Sequence, residues 1–586
     1  MPKLSLKISR PWIVLYGLLA LLTLAALTFD RSTWPALMGD EASYLMQAES
    51  LAWDQDASYS GDDYRRFVGH WQRLPQGLIL QSGDHGAHVV YGKPFFYALY
   101  LAPFVRLAPV RGAFVANALL LAFASVAAAR VLERRSGPLA PLWVAVLVFA
   151  SVTFAHVFWA HPDLFLMCLT ALALALAFDG RQGGAGGAPR ILIRWAVVGG
   201  LLAVVAVSRP PYLALFLPAL LAVPRPSRRL GIAALAAGGL SVAAAAGLVQ
   251  QSLSDSWTSY GAERLSFYRH TGFLEIDFPA AEWPRKIEEY GSAAAAEPTA
   301  VRWDKRLAPS LWLWNSVYFV IGRHVGILPY FLPLVLGLVG GIRGWWSWSL
   351  VLAVAAASAV FLLWMPFNFY GGGGALANRY FLPLYPAFWF MPARLPSRRW
   401  LVAVAAVSSL FVWELWLAAR EFPVTVKTER DYRYVSPVAE RILPFETTLS
   451  HLKLAGRDDL YPGFFVRFLD HEPWLDKNGG PRLFGGRTAR LLVASEQPLT
   501  ALILELEASA AVDVGVGNER ARRLDSSDSV QRFRVPLAAT AIRHPMWWSQ
   551  WKPVRVYRLS LRFDGVGEDE AVPFRLSLPA AESDGP

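Results

Sequence analysis

Long apolar blocks separated by short charged segments dominate the chain up to about residue 420. Blocks such as residues 12–29, 112–131 and 345–364 approach the roughly 20 residues that a helix needs to cross a bilayer core. Counting the blocks predicts an α-helical polytopic membrane protein with about eleven transmembrane helices. Two apolar stretches, 42–53 and 94–107, are too short to span and predict interfacial helices.

The pattern changes after residue 420, where apolar residues occur in short, partly alternating runs rich in Val, Leu and Phe. Gly, Asp, Ser and Pro separate these runs, which is typical of an all-β sandwich. The runs are 489–493, 501–506, 530–535 and 554–563. We therefore predict two domains, a transmembrane domain over 1–420 and a β-rich domain over 421–586.

The distribution of Lys and Arg orients the predicted helices. Lys3, Lys7 and Arg10 precede the first helix, which places the N-terminus in the cytoplasm. Each predicted inner loop carries Lys or Arg, so two long segments, 30–111 and 250–311, face outward. The same alternation makes the C-terminal domain extracytoplasmic, in a multi-pass protein of a bacterial inner (plasma) membrane.

Composition agrees with a membrane protein. Of 586 residues, 54% are hydrophobic and 17% are charged, against about 25% charged in soluble domains. The net charge of +11 is interpreted as the positive-inside bias and contact with anionic lipid, not with nucleic acid. Cys168 is the single cysteine, so a disulfide within one chain is excluded.

An acidic pair, Asp40-Glu41, lies shortly after the first predicted helix, on its outer side. Adjacent carboxylates near a membrane suit a general base or a metal ligand. The alternative is that both simply stabilise a helix N-terminus. His161-Pro162-Asp163, at the outer start of the fourth predicted helix, allows the same two interpretations.

Three cations occur at outer positions, where the orientation rule disfavours them. They are Lys93, Arg209 and Arg379, and each is followed by proline or tyrosine. An anionic ligand such as a phosphate would explain them. Lipid headgroups, or a lysine side chain extending to the interface, are the alternative.

The order and side of these motifs resemble the GT-C superfamily of membrane glycosyltransferases over residues 12–417. The likeness rests on Asp40-Glu41, Lys93-Pro94, Asp163, Arg209-Pro210-Pro211 and the Arg379–Pro383 motif Arg-Tyr-Phe-Leu-Pro. The branch it resembles contains the aminoarabinose transferase of lipid A and the protein O-mannosyltransferases. The C-terminal β domain looks more like the modules of mycobacterial-type arabinosyltransferases.

This resemblance implies an inverting transferase that moves a sugar from a polyprenyl-phosphate donor to a glycan, lipid or protein hydroxyl at the periplasmic surface. It implies catalytic roles for Asp40, Glu41 and Asp163 and phosphate binding by Lys93, Arg209 and Arg379. Substrate positioning falls to four neighbours: Tyr44, His161, Asn378 and Tyr380. A divalent metal is left open, because carboxylates and His161 supply ligands without a compact motif.

Three other functions fit parts of the pattern. A secondary transporter is the main rival, although transporters place ionisable groups near the membrane midplane. A lipid-linked polymer ligase and a non-catalytic assembly factor are the others. In the β domain, Trp474 and the aromatics of 546–551 suit either sugar stacking or burial in the core.

Overall fold

The computed structural model describes most of the chain, with gaps. The described residues are 9–31, 37–83, 88–179, 188–261, 264–267, 270–286, 309–341, 344–372, 376–421, 435–449, 463–469, 482–484, 488–507, 513–516, 519–526, 530–537, 542–545, 553–564 and 571–579. Helices predominate before residue 421 and strands predominate after residue 465. The aromatic residues Trp474 and 546–551 lie outside the described residues.

The helices vary from single turns to long apolar rods. In chain order they are α1 (Arg10–Leu27), α2 (Asp40–Trp53), α3 (Gly61–Trp71), α4 (Phe96–Leu107), α5 (Gly112–Ser136), α6 (Ala140–Phe149), α7 (Pro162–Phe178), α8 (Ala188–Ser208), α9 (Phe216–Ala222), α10 (Arg228–Ser254), α11 (Leu274–Asp277), α12 (Trp283–Lys286), α13 (Pro309–Ile321), α14 (Ile327–Tyr330), α15 (Leu334–Gly341), α16 (Trp345–Trp364), α17 (Pro386–Phe390), α18 (Arg398–Ala418) and α19 (Pro437–Ile442). Short 3₁₀ helices adjoin several of them, including Val152–Phe158, Pro210–Leu215 and Leu382–Leu384.

Among the described residues, six helices are long and apolar enough to cross a membrane: α1, α5, α8, α10, α16 and α18. A seventh crossing is formed if α6 and the 3₁₀ helix Val152–Phe158, bent by 65°, count as one. Shorter apolar helices occupy 96–107, 162–178 and 210–222. The chain is therefore a multi-pass membrane protein, while the total of about eleven spans stays a prediction.

The apolar runs 325–340 and 379–391, which are counted among the eleven predicted spans, are broken into short helices. In the first, Pro333 lies between α14 and α15. In the second, Pro386 begins α17, directly after the 3₁₀ helix Leu382–Leu384 and Tyr385. Proline removes a backbone donor and its ring clashes with the carbonyl one turn earlier, so proline within a helix bends or breaks it. Because all of α17 is buried, this segment lies inside the bundle instead of facing lipid.

Tryptophans at the two ends of α16 mark the membrane thickness. Trp345 is 59% exposed and Trp364 is 62% exposed. The 20-residue helix spans about 29 Å at 1.5 Å per residue, close to the roughly 30 Å hydrocarbon core. Tryptophan favours membrane interfaces, so exposed tryptophans at both ends agree with a helix that crosses the bilayer.

The strands divide into a group within the loops and a C-terminal group. They are β1 (Leu37–Met38), β2 (Pro75–Gln76), β3 (Leu78–Gly83), β4 (His88–Tyr91), β5 (Arg264–Phe267), β6 (Phe465–Phe468), β7 (Arg482–Phe484), β8 (Thr488–Ser495), β9 (Ala501–Leu506), β10 (Asp513–Val516), β11 (Glu519–Arg520), β12 (Arg522–Ser526), β13 (Gln531–Pro536), β14 (Ile542–Pro545), β15 (Pro553–Asp564) and β16 (Ala571–Ser577).

The two long predicted outer segments meet in one small sheet. Strand β3 pairs antiparallel with β4 and also with β5, which comes from the second segment. Helix α2 packs against α4 and β3, and its residues from Glu41 to Ser50 are buried. The predicted helix over 42–53 is therefore an inner element of this loop region and not an interfacial one.

The C-terminal strands form two antiparallel sheets, in the orders β11-β10-β15-β8-β6 and β12-β13-β9-β16-β7, with β14 also paired to β15. Residues from both sheets, such as Leu491, Leu504 and Phe574, share one hydrophobic core. The prediction of a β-sandwich-like region is confirmed. The boundary at residue 420 stays a prediction.

The first of these sheets also packs against the helical part. Leu492, Ala494, Val554 and Val556 belong to the same buried cluster as the membrane helices. In an antiparallel strand, alternate residues face opposite sides. Strand β8 therefore directs Leu491 and Val493 into the sheet core and Leu492 and Ala494 toward the helices.

Candidate active site

Asp40 sits at the first turn of α2, held there by an unusual backbone bend. Gly39, just before it, has φ +59° and ψ −122°, a conformation that is essentially restricted to glycine. The Gly39 amide donates to the carbonyl of Gln76 over 2.7 Å, which ties the bend to β2. The carboxylate of Asp40 therefore starts from a fixed point at a helix N-terminus, where negative charge is favoured.

Lys93 reaches the same point from the loop sheet. It follows β4, and the amides of Gly92 and Lys93 donate to Ile79 and Tyr91 at 2.9 and 2.8 Å. Its ammonium pairs with Oδ1 of Asp40. It also lies 5.9 Å from the ring centre of Tyr44, one turn further along α2.

His161 ends the turn between the 3₁₀ helix Val152–Phe158 and α7, and Asp163 lies in the first turn of α7. The Asn117 side chain on α5 donates to the carbonyls of Val157 and Trp159, at 3.3 and 3.0 Å, and so fixes this turn. His161 Nε2 is 2.9 Å from Oδ2 of Asp40, and its Nδ1 is 2.7 Å from Oδ2 of Asp163. The imidazole thus lies between two carboxylates.

Two arginines complete the cluster. Arg209, at the end of α8, pairs with Oδ1 of Asp163 and stacks on the Tyr380 ring at 4.3 Å. Arg379 lies 3.5 Å from Oδ2 of Asp40 through Nη2 and 2.6 Å from His161 Nε2 through Nη1.

The Arg379 side chain is held against a glycine. Its Nη2 donates to the Gly371 carbonyl, and a Cβ at Gly371, which has φ +102°, would overlap the Arg379 side chain. The described part of the glycine run 371–374 therefore forms one wall of the arginine site. Gly373 and Gly374 lie outside the described residues.

These contacts form one connected network from Lys93 through Asp40, His161 and Asp163 to Arg209, with Arg379 touching its centre. His161 Nε2 is within reach of both a carboxylate oxygen and an arginine N–H. A proton on Nε2 favours Asp40 as the partner, whereas a bare Nε2 accepts from Arg379. Which of these two contacts is a hydrogen bond therefore depends on the tautomer of the imidazole.

The charges of the network shift the pKa values of its loop residues. Burial alone would raise the pKa of Asp40, but Lys93, the hydrogen bond with His161 and Arg379 lower it well below its usual range. Burial lowers the pKa of Lys93 to about 8, against the opposing effect of Asp40. Asp40 is thus held as a carboxylate, and Lys93 is a cation that can be neutralised slightly above neutral pH.

Apart from Glu41, the predicted site residues lie in or next to this network, although their roles remain predictions. Tyr44 and Tyr380 provide ring walls, 5.9 Å from His161 and 4.3 Å from Arg209. Asn378 is buried and its Oδ1 accepts from the Phe381 amide. No described residue accepts a hydrogen bond from its Nδ2.

Glu41 points away from the network. Its carboxylate pairs with buried Arg31 at 2.5 Å and accepts the Ala160 amide at 3.3 Å. Ala160 directly precedes His161, so Glu41 supports the turn that presents the imidazole. This placement favours a positioning role for Glu41 over direct contact with a substrate.

Arg264 is the site residue that the sequence did not single out. It lies in β5, opposite Gln81 of β3, and its guanidinium donates to the carbonyls of Gly92 and Ser259 at 2.6 and 3.0 Å. Its charge contributes to lowering the pKa of Lys93. Both of these hydrogen-bond acceptors are neutral carbonyls, so Arg264 adds a positive charge beside Lys93.

The predicted metal ligands do not converge on one point. Within the described ranges, no group of three or more His, Cys, Asp or Glu side chains is arranged to hold a metal ion. The two carboxylates are instead paired with cations, Asp40 with Lys93 and Arg379, and Asp163 with Arg209. The metal question therefore stays open, as the sequence left it.

Comparison with known proteins yields distant structural similarities. No protein family profile matches the chain, and no curated protein matches it. The chain is similar to ArnT from Cupriavidus metallidurans bound to undecaprenyl phosphate, with 15% identity, a TM-score of 0.40 and coverage of 70% of this chain and 66% of that one. The chain is also similar to ArnT from Cupriavidus metallidurans in the apo state, with 13% identity and a TM-score of 0.37. That similarity covers 66% of this chain and 60% of that one. The chain thus spans somewhat less than two thirds of the length of these proteins, and this level of similarity assigns it no activity.

Proposed function

We propose that this protein is an inverting membrane glycosyltransferase of the GT-C type. It would move a sugar from a polyprenyl-phosphate donor to a hydroxyl of a cell-envelope acceptor on the outer side of the membrane. The observation that carries the proposal is the network at the bundle end, in which one ionised carboxylate, Asp40, is surrounded by cations. This arrangement supports both proton removal and binding of a phosphate.

The charge balance suits a phosphate that becomes more negative during the reaction. Lys93, Arg209, Arg264 and Arg379 outnumber the two carboxylates, Asp40 and Asp163. A sugar phosphodiester carries one negative charge, and the departing polyprenyl phosphate approaches two near neutral pH. Cations placed where charge develops stabilise the transition state more than the ground state.

In the proposed step the acceptor oxygen attacks the anomeric carbon as the bond from that carbon to the phosphate oxygen breaks. The bonding pair leaves with the phosphate, and the acceptor proton passes to Asp40. His161, 2.9 Å away, is placed to take that proton onward. One displacement inverts the anomeric centre, so a second nucleophilic carboxylate is not required.

The low pKa of Asp40 makes this carboxylate a weak base as long as it is paired with Lys93 and Arg379. A donor phosphate competes for both cations, because it offers them stronger charge-assisted hydrogen bonds. Once they turn to the phosphate, the pKa of Asp40 rises toward its usual value. Donor binding would thus prepare the base, and proton removal would follow donor binding.

The convergence of Asp40, Lys93, Asp163, Arg209 and Arg379 at helix ends supports this proposal over transport. A transporter site is expected near the midplane, within broken helices. A lipid-linked polymer ligase uses related donor chemistry and remains the second candidate within the same reaction class. The outward orientation, the inner-membrane location and the domain division at residue 420 belong to the proposal.

The decisive experiment incubates the purified protein in lipid nanodiscs with a panel of polyprenyl-phosphate sugars and candidate acceptors. Release of polyprenyl phosphate, followed by mass spectrometry, is expected for at least one donor. The matched control is Asp40→Asn, which should bind donor without releasing the lipid phosphate. Absence of release and of donor binding across the panel would contradict the proposal.

A further inference from the structure

A stretch of chain beyond the last long helix is fastened to the helical part near the site. We call residues 435–449 the connecting segment, since they lie between α18 and the C-terminal sheets. Thr448 Oγ1 donates to Asn315 over 2.7 Å, and the Tyr318 hydroxyl lies 3.1 Å from Oγ1 of Thr447. The Arg323 guanidinium donates to the Glu440 carbonyl over 2.8 Å.

Glu446 is the most constrained residue of this segment. Its buried carboxylate accepts the backbone amides of His324 and Val325, at 2.6 and 3.0 Å. Its other oxygen lies 2.8 Å from Nδ1 of His324. A Cβ at Gly322 would come within 2.5 Å of Oε1, so the turn after α13 needs glycine there to enclose the carboxylate.

The turn that encloses Glu446 also holds the chain leading to Arg379. The His324 carbonyl accepts the amide of Ala377 over 2.6 Å. Ala377 has φ +72°, a left-handed conformation that a residue with a Cβ adopts only when its surroundings enforce it. Two residues later, the Arg379 amide donates to Tyr370 over 3.1 Å, and its guanidinium enters the site.

We infer that Glu446 is a positioning residue for the site, which fixes Arg379 through the backbone of His324 and the strained Ala377. Docking of the connecting segment would therefore be required for the phosphate-binding arrangement of the arginine. The catalytic consequence rests on the proposed function, whereas the structural link from Glu446 to 376–381 does not.

The test compares Glu446→Ala and Glu446→Gln with wild type and with Glu505→Ala, a control. Glu505 lies in β9 and pairs with Arg532 at 2.8 Å, within the C-terminal sheets. Hydrogen–deuterium exchange should rise at least several-fold for the amides of 376–381 in Glu446→Ala. In the same variant, the β3 peptide 78–83 should keep its wild-type exchange rate. In the Glu505→Ala protein, residues 376–381 should keep their wild-type exchange rate.

Glu446→Gln keeps one acceptor oxygen for the two amides, so it should fold and show the same change at reduced size. In nanodiscs, the KM for donor should rise more than the KM for acceptor, in the order wild type, Gln, Ala. If Glu446 served stability alone, its variants would yield less folded protein, but the KM for donor would not rise more than the KM for acceptor. Wild-type exchange over 376–381 in both variants would overturn the inference.

Failure of the proposed function is separable from failure of this inference. If the wild-type protein neither binds a polyprenyl phosphate nor releases one, the transferase proposal fails. Faster exchange over 376–381 in the Glu446 variants would then still support the positioning role. If the wild type is active and Glu446→Ala changes neither exchange nor donor KM, the inference alone is wrong.

Discussion

At the scale of single residues, the site is organised around one carboxylate whose neighbours are nearly all cationic. Asp40 contacts Lys93, His161 and Arg379, and these contacts keep it ionised. A carboxylate so stabilised removes protons poorly until its partners are drawn elsewhere. Without substrate, Asp40 is thus a weak base, and an anionic substrate would be needed to activate it.

Replacing Asp40 with asparagine tests the base directly. Asparagine keeps the shape of the side chain but cannot take a proton, and loss of a general base typically costs about 10²–10⁴-fold in rate. We expect that loss in sugar transfer, with a circular dichroism spectrum and melting profile like those of the wild type. The companion change Glu41→Gln should be milder, since Glu41 faces Arg31. Retention of more than half the activity by Asp40→Asn would assign the proton to another group.

The pKa of Lys93, about 8, gives a testable pH dependence. Below that pKa the ammonium is charged and can bind phosphate, and above it the charge is lost. We therefore expect kcat/KM for donor to fall as pH rises through about 8, because this parameter reports the free enzyme. Lys93→Arg, which stays charged at high pH, should remove the decline. An alkaline decline that persists in Lys93→Arg would show that another group titrates.

At the scale of secondary-structure elements, the site depends on interruptions in helices. A bent helix pair presents His161, an α8 terminus presents Arg209, and a glycine-lined loop presents Arg379. Helix ends leave backbone groups unpaired and admit polar side chains that a continuous apolar helix would exclude. The polar side chains of the site therefore lie together at the helix ends.

The glycine wall beside Arg379 can be tested by Gly371→Ala. A methyl group there overlaps the Arg379 side chain, and φ +102° is strained for alanine, by about 1–3 kcal/mol. We expect weaker binding of a short-chain polyprenyl phosphate, measured by tryptophan fluorescence, with α16 and α18 still inserted. Gly340→Ala in α15 meets its nearest atom at 3.8 Å and should bind like the wild type. If both variants bound polyprenyl phosphate with equal affinity, Gly371 would not contribute to the binding site.

The sequence predicted the elements best where one pattern decides them. The apolar runs of α1, α5 and α16 and the alternating runs of β8, β9 and β15 are all present. It did poorly where prolines divide an apolar run, as in α14, α15 and α17, because hydropathy does not register a missing backbone donor. Arg264 escaped notice because its place opposite Gln81 is set by strand register between distant segments.

At the scale of the whole molecule, the C-terminal sheets pack against the membrane helices. Residues of β8 and β15 share a buried cluster with the membrane helices, and the connecting segment is hydrogen-bonded to Asn315, Tyr318 and Arg323. We expect removal of residues 425–586 to expose this apolar surface. The truncated protein should lose thermal stability in detergent, as followed by tryptophan fluorescence. Unchanged stability would show that the helical part is complete without the sheets.

The orientation of the whole chain can be checked by cysteine labelling. Cys168 is buried, so the wild type should stay unlabelled by a membrane-impermeant maleimide. Asp62→Cys and Gln497→Cys, at exposed positions in the first loop and the C-terminal sheets, should react in intact cells. Ser397→Cys, exposed before α18, should react only after the membrane is opened. Protection of Gln497→Cys would overturn the outward placement.

The loop sheet has a consequence for biogenesis. Strand β3 pairs with β4 nearby and with β5, which follows only after the seven described α-helices α4 to α10. During synthesis, the β5 side of β3 therefore waits, with unpaired backbone groups, until α10 has been inserted. Arg379 and Glu446 emerge later still. We expect the nascent chain to be inert toward lipid-linked substrates until its last segment is exported, so that activity itself reports completed assembly.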